Sequence, residues 1–148
     1  MRDTSDTIVA CSSPLGRGAI SLIRVSGPET VEVVKKLTRK GLPEPRVASL
    51  RKFNKINENE LIDEGILVWF PGPNSYTGED MAEFHVHGSL AVVDSIQKSI
   101  SKIDGCRLAE PGEFTKIAFQ NNKINLLKAE SISDLISSET EIQRRQAI

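Results

Sequence analysis

In the stretch EDMAEFHVHGS, residues 79–89, Glu83, His85 and His87 alternate with Phe84, Val86 and Gly88. On a strand, a period of two places that carboxylate and both imidazoles on one face. Carboxylate and imidazole are ligand types for zinc and iron, and three such ligands with an open position suit metal-assisted hydrolysis. The spacing argues against this chemistry. Positions i to i+4 of a strand span about 13 Å, so Glu83 and His87 do not reach one ion without a bulge. His85 and His87 are also the only histidines in the chain. A half-buried strand with a polar end accounts for the pattern more simply. No metal ligands and no catalytic residues are assigned from it.

Arg24 is the second chemical candidate. It lies between Leu22, Ile23 and Val25, and a guanidinium in an apolar strand needs an anionic partner. Glu83 is one candidate for a purely structural pair. A Glu–Arg pair can equally receive a heterocycle carrying both donors and acceptors, because a carboxylate accepts two parallel N–H bonds from a 2-amino-pyrimidinone edge. The Gly-rich stretches SPLGRGAIS and PGPNSYTGED fit neither phosphate-binding loop pattern. Ser13, Ser26 and Ser75 have no G-x-S-x-G context, which disfavours a serine hydrolase.

The elements that must position these residues follow from apolar spacing and breakers. Strands are expected over Asp6–Ser13 and Ala19–Gly27, the second reading as buried on both sides. A helix opens after Gly27 and Pro28, with Val31, Val34 and Leu37 on its apolar face. Lys35, Lys36, Arg39 and Lys40 read as a solvated, dipole-favoured helix end rather than an RNA site. A hairpin follows, in which Ile66, Val68 and Phe70 face one way and Leu67 and Trp69 the other. After the PGPNSYTGED loop come the strand bearing Glu83, a helix on Leu90, Val93, Ile96 and Ile100, a brief CRLA strand, and a helix from Pro111. Asn121, Asn122 and Lys123 interrupt that helix, and a helical pattern from about Leu126 runs to Ile148 without a stop signal, as expected where a C-terminal region is missing. The order predicts an α+β fold: a largely antiparallel sheet with helices on one side, then a helical extension. The expected division is a domain over 1–120 and the start of a helical region over 121–148.

At 148 residues with 39% hydrophobic content, one domain plus a short extension is expected. Lys and Arg number 19 against 20 Asp and Glu, a balance that makes no electrostatic case for nucleic-acid binding by the segment as a whole. Cys11 and Cys106 form no CxxC, which fits a reducing compartment better than a disulfide framework. No run reaches membrane-spanning length and the N-terminus lacks a signal-peptide core, so a cytoplasmic location without membrane contact is expected.

Four blocks together are more specific than any of these signals: DTIVACSSP, GRGAISLIRVSGP, LVWFPGPNSYTGEDMAEFHVHGS and AEPGEFTKIAFQNNKINLLKAESISDLI. They resemble the N-terminal domain of the MnmE (TrmE, ThdF) family of tRNA modification GTPases over nearly the whole chain. The resemblance implies a fold like the tetrahydrofolate-binding domain of aminomethyltransferases, binding of 5-formyltetrahydrofolate or a related tetrahydrofolate, and a homodimer formed through this domain. It implies partners of the full-length protein, the MnmG flavoprotein and tRNA, with modification of the wobble uridine at C5. GTP, Mg and K would belong to a G domain that this chain lacks, so the fragment alone would not be catalytic. It also implies folate contacts at Arg24, Glu83 and Lys123. Three positions depart from the family pattern: Ser89 where HGG has Gly, Ile117 where RAF has Arg, with Lys116 beside it, and Asn125 where KLDL has an acid. His87 matches the family and His85 sits where it varies, so His85 reads as a bystander. A structural dimerisation module without folate and a stand-alone one-carbon transferase are the alternative readings.

Overall fold

Strand β1 (Thr7–Cys11) is buried along its length, with Val9 and Cys11 packed into one cluster and Ile8 and Ala10 into another. That division runs through the whole protein in the computed structural model, which describes residues 6–12, 20–123, 134 and 136–142. The remaining elements in chain order are β2 (Ile20–Ser26), α1 (Thr30–Thr38), β3 (Ser49–Asn54), β4 (Leu61–Phe70), β5 (Met81–His87), α2 (Leu90–Ser101), β6 (Cys106–Leu108) and α3 (Glu113–Gln120). The six strands form one sheet in the order β3-β4-β5-β2-β1-β6. Only the short β6 runs parallel to its neighbour, β1, and the other pairings are antiparallel. The α+β class expected from the element order is therefore the class observed.

The larger cluster joins Val9, Ile23, Val25, Leu67, Phe84 and Val86 of the sheet to Val33, Val34 and Leu37 of α1 and Val93, Ile96 and Ile100 of α2. Each such side chain contributes about 1.5–3 kcal/mol by leaving water. Phe53 and Phe84 meet edge to face at 5.4 Å, a favoured aromatic geometry. The smaller cluster lies on the opposite face, where Phe114 and Ile117 of α3 cover Ile8, Ala10 and Met81. The expectation of helices on one side thus holds for α1 and α2 and fails for α3. The reason is visible in β1 and β5, whose Ile8, Ala10 and Met81 leave a second apolar surface that α3 shields.

Local chemistry sets the helix ends. Ser89 caps α2, its hydroxyl accepting from the Val92 N–H at 3.1 Å. Here a serine in place of glycine supplies a hydrogen-bond acceptor to an otherwise unpaired backbone donor. Ser89→Ala should lower stability by about 1 kcal/mol and Ser89→Gly by only a few tenths, read from urea midpoints at constant slope. The N-cap of α3 is Gly112, with φ 74° and no side chain to offer. A carboxylate from the helical segment 136–142 takes the role instead: Glu139 accepts from the Phe114 and Thr115 N–H groups, both at 3.2 Å, and from the Thr115 hydroxyl at 2.7 Å. Arg107 fixes the same end of α3, reaching Glu113 through two nitrogens at 2.9 and 2.7 Å and Asp6 through Nε at 2.9 Å. Those hydrogen bonds, Glu113 first, raise the guanidinium pKa above its ordinary value.

Candidate functional site

Antiparallel pairing of β2 with β5 puts Arg24 directly opposite Glu83. In β5, Ala82, Phe84 and Val86 point to the α1–α2 side, and Met81 points to the α3 side. Period-two alternation therefore sends Glu83 and His85 to the α3 face. Arg24 Nε lies 3.5 Å from Glu83 Oε2, and the two side chains are 26% and 19% exposed. His85 Nε2 lies 3.5 Å from Glu83 Oε1 on the other side. Neither contact is a good hydrogen bond: Arg24 Nε and His85 Nε2 are buried and have no hydrogen-bond partner among the described residues. A carboxylate committed to a structural arginine pair is bonded at about 2.7–2.9 Å, commonly through both oxygens. Glu83 sits close to two cationic or neutral donors without being saturated by either.

The loop 71–80 walls this pair. Tyr76 lies against Arg24, with the guanidinium carbon 5.1 Å from the ring centroid, within the range of a cation–π contact. The Tyr76 hydroxyl is 3.2 Å from the Thr115 hydroxyl of α3. The loop is pinned from several elements. The Ser26 hydroxyl contacts Thr77 Oγ1 at 2.7 Å and donates to Glu79 Oε1 at 2.8 Å. The Gly72 N–H donates to Asp80 Oδ1 at 2.9 Å, and the Asn121 amide donates to the Thr77 carbonyl at 2.7 Å. Lys123 Nζ donates to the Pro73 carbonyl at 2.9 Å. Arg24 and Glu83 are thus brought into direct apposition, while Lys123 reaches the same loop from the end of α3 and meets its backbone.

His87 does not join them. Its ring Nδ1 is 2.7 Å from Asp63 Oδ1 on β4, and its N–H donates to Asp63 Oδ2 at 2.8 Å. Among the described residues, no three His, Cys, Asp or Glu side chains are grouped to hold a metal ion. His85, read from sequence as a bystander, lies next to Glu83. Ile117 is buried in the cluster under α3, and Lys116 beside it is exposed. Asn125 lies outside the described residues. Away from the site, the half-buried Cys106 thiol is pushed up to about 11, by burial first and by the Glu29 charge second, against Lys36. Two units above the ordinary value leave about a hundredfold less thiolate at pH 8. Iodoacetamide should therefore modify Cys106 slowly, with a rate still rising above pH 10. A plateau by pH 9 would contradict that environment.

Sequence reasoning missed Tyr76 and Glu139. The first is the only tyrosine in the chain, set in a polar, Pro/Gly-punctuated loop, where a lone aromatic side chain is a usable signal. The second carries no signal, since its partner N–H groups lie more than twenty residues away.

Residues 7–123 match the family described as GTP-binding protein TrmE N-terminus. This chain belongs to that family. As a TrmE N-terminal chain it is similar to a tRNA modification GTPase MnmE of Pelagibacter ubique, 70% identical over 142 residues that make up 96% of this chain and 32% of that protein. The MnmE of Phenylobacterium zucineum is 53% identical over 144 residues, 97% and 32%. The mitochondrial 5-taurinomethyluridine-[tRNA] synthase subunit GTPB3 of Homo sapiens is 48% identical over 143 residues, 96% and 29%. The chain spans about a third of the length of these curated relatives. Within the TrmE N-terminal match lie all of β1 to α3, the loop 71–80, and the Arg24, Glu83 and Lys123 side chains. No helix among the described residues is long and apolar enough to cross a membrane.

Proposed function

We propose that this chain is the folate-binding and dimerisation domain of a tRNA-modifying GTPase. The observation that carries the reading is the state of Glu83: a partly shielded carboxylate flanked by Arg24 and His85 at 3.5 Å, with the facing nitrogens of both lacking hydrogen bonds among the described residues. Such a carboxylate has capacity for the paired N–H donors of a reduced pterin. Arg24 and Lys123 are the cations for carbonyl or carboxylate oxygens of the same ligand, and the Tyr76 ring gives the site an apolar wall. A bound tetrahydrofolate would supply a one-carbon unit, and the chain's own residues bind and orient it. GTP hydrolysis, pairing with a flavoprotein and modification of the wobble uridine belong to the longer protein, with this domain working as a homodimer in the cytoplasm. Residues 1–120 form the folate domain in this reading, and 121–148 begin a helical one.

Titration with 5-formyltetrahydrofolate, followed by tryptophan fluorescence or calorimetry, tests the reading, with light scattering reporting the mass in the same sample. Saturable one-to-one binding to a dimer is expected. A folded dimer that binds no folate would leave only the dimerisation role.

A further inference from the structure

The fold lays the basic end of α1 beside a second basic pair on β3. A groove of about 490 Å³ opens between the C-terminal turn of α1 and the edge strand β3, lined by Arg39 and Lys40 from the first and Arg51 and Lys52 from the second. A neighbouring concavity of about 480 Å³ shares Arg39 and adds Lys36. Two carboxylates, Glu58 and Glu64, border these surfaces. A helix C-terminus carries about half a negative charge, so stabilising α1 accounts for only a small part of this cluster.

The arginines are also held in a particular way. Arg39 donates to Asn59 Oδ1 at 2.6 Å and to the backbone carbonyls of Glu58 and Lys55. Arg51 donates to Thr38 Oγ1 at 3.2 Å and to the Gly41 carbonyl at 3.0 Å. All these acceptors are neutral. Arg24 and Arg107, in contrast, face carboxylates. Among the described residues, Arg39 and Arg51 are therefore positioned without a carboxylate partner, which removes part of the ordering cost of binding an anion. Pre-oriented guanidiniums with lysines around them are the side chains that bind phosphate oxygens along a nucleic-acid backbone.

We propose that this groove docks the sugar-phosphate backbone of a folded tRNA. The choice of tRNA rests on the tRNA-modifying reading proposed above, while the groove itself is independent of the folate site, because it uses none of Arg24, Glu83 or Lys123. The near-zero net charge of the whole chain does not oppose it, because Lys36, Arg39, Lys40, Arg51 and Lys52 line two adjoining concavities that only two carboxylates border.

The test is fluorescence anisotropy of a labelled tRNA transcript titrated with the protein between 50 and 200 mM salt. Wild type should bind at low salt and weaken steeply as salt rises. The double variant Lys40→Glu/Lys52→Glu reverses two exposed charges and leaves the anchored arginines alone. It should bind roughly tenfold more weakly or worse, and its log–log salt slope should be shallower by about 1.5–2, near one unit per lost phosphate contact. If the reversal disturbs the fold by thermal melting, Lys40→Gln/Lys52→Gln takes its place, with a smaller loss in the same direction. Unchanged tRNA affinity in a folded variant overturns the proposal, as does no binding by wild type at 50 mM salt. A poly-glutamate peptide that binds wild type as tightly as the transcript would also overturn it, reassigning the groove to an acidic protein segment.

Discussion

Glu83→Ala should weaken binding of 5-formyltetrahydrofolate by about a hundredfold or more while leaving the domain folded. The two expectations have separate physical origins. On the binding side, the substitution removes an ionised acceptor that two ligand N–H groups would share, and hydrogen bonds to charged groups are worth about 1.5–3 kcal/mol each. On the stability side, Arg24 and Glu83 are partly exposed and sit at 3.5 Å, and Arg24 Nε has no hydrogen bond among the described residues. Water reaches Arg24 once its partner is gone, so the lost pair should cost about 1 kcal/mol or less. Glu83→Gln should fall between wild type and Ala, because the amide keeps one acceptor and replaces the other with a donor. Calorimetric titration of the three proteins, with urea unfolding beside it, separates the effects. Wild-type affinity in Glu83→Ala would put the pterin elsewhere. Arg24→Ala should also weaken binding, by roughly tenfold, since it removes a cation and the Tyr76 contact but not the carboxylate.

Much of this site was legible in the sequence because it depends on local periodicity. Alternation in MAEFHVH puts Glu83 and His85 on the face opposite Phe84, and LIRVS isolates Arg24 among apolar residues. The register that makes them partners is a property of pairing, and no local pattern states that Arg24 meets Glu83 rather than His85. What failed to show is non-local. The carbonyl acceptors that hold Arg39 and Arg51 come from other segments, so the basic cluster on α1 reads as a simple helix end until β3 is laid beside it. The placement of α3 on the second face was hidden for a related reason. Its spacing of Phe114, Ile117 and Ala118 specifies a buried stripe and not the surface that buries it. His85 reads as a bystander in the sequence because the family pattern varies at its position, and its approach to Glu83 is set by side-chain placement that no such pattern carries.

Gly65→Ala should be the most damaging single-methyl change in the sheet. Gly65 lies in β4 where it passes β5, and a Cβ built there would stand 2.0 Å from the His85 carbonyl oxygen and 3.2 Å from the Phe53 ring. The first contact is with backbone, which cannot rotate away as a side-chain end can. Relief requires the two strands to separate or β4 to shift, at the edge of the ladder in which Ile66 pairs with His85 and Val68 with Glu83. Overpacking of this kind costs about 1–3 kcal/mol and occasionally more, and the backbone contact favours the upper end, roughly 3 kcal/mol. The displaced strand carries His85 and, two residues before it, Glu83. The fraction that remains folded should therefore also bind folate more weakly, by several-fold, although residue 65 itself is not among the proposed ligand contacts. Urea unfolding reads the stability loss, and titration well below the unfolding midpoint reads the affinity of the folded fraction. A Gly65→Ala protein with wild-type stability would mean that β4 and β5 are farther apart at this point than the structure has them. Lost stability with unchanged affinity would mean that the strand shift stops short of Glu83.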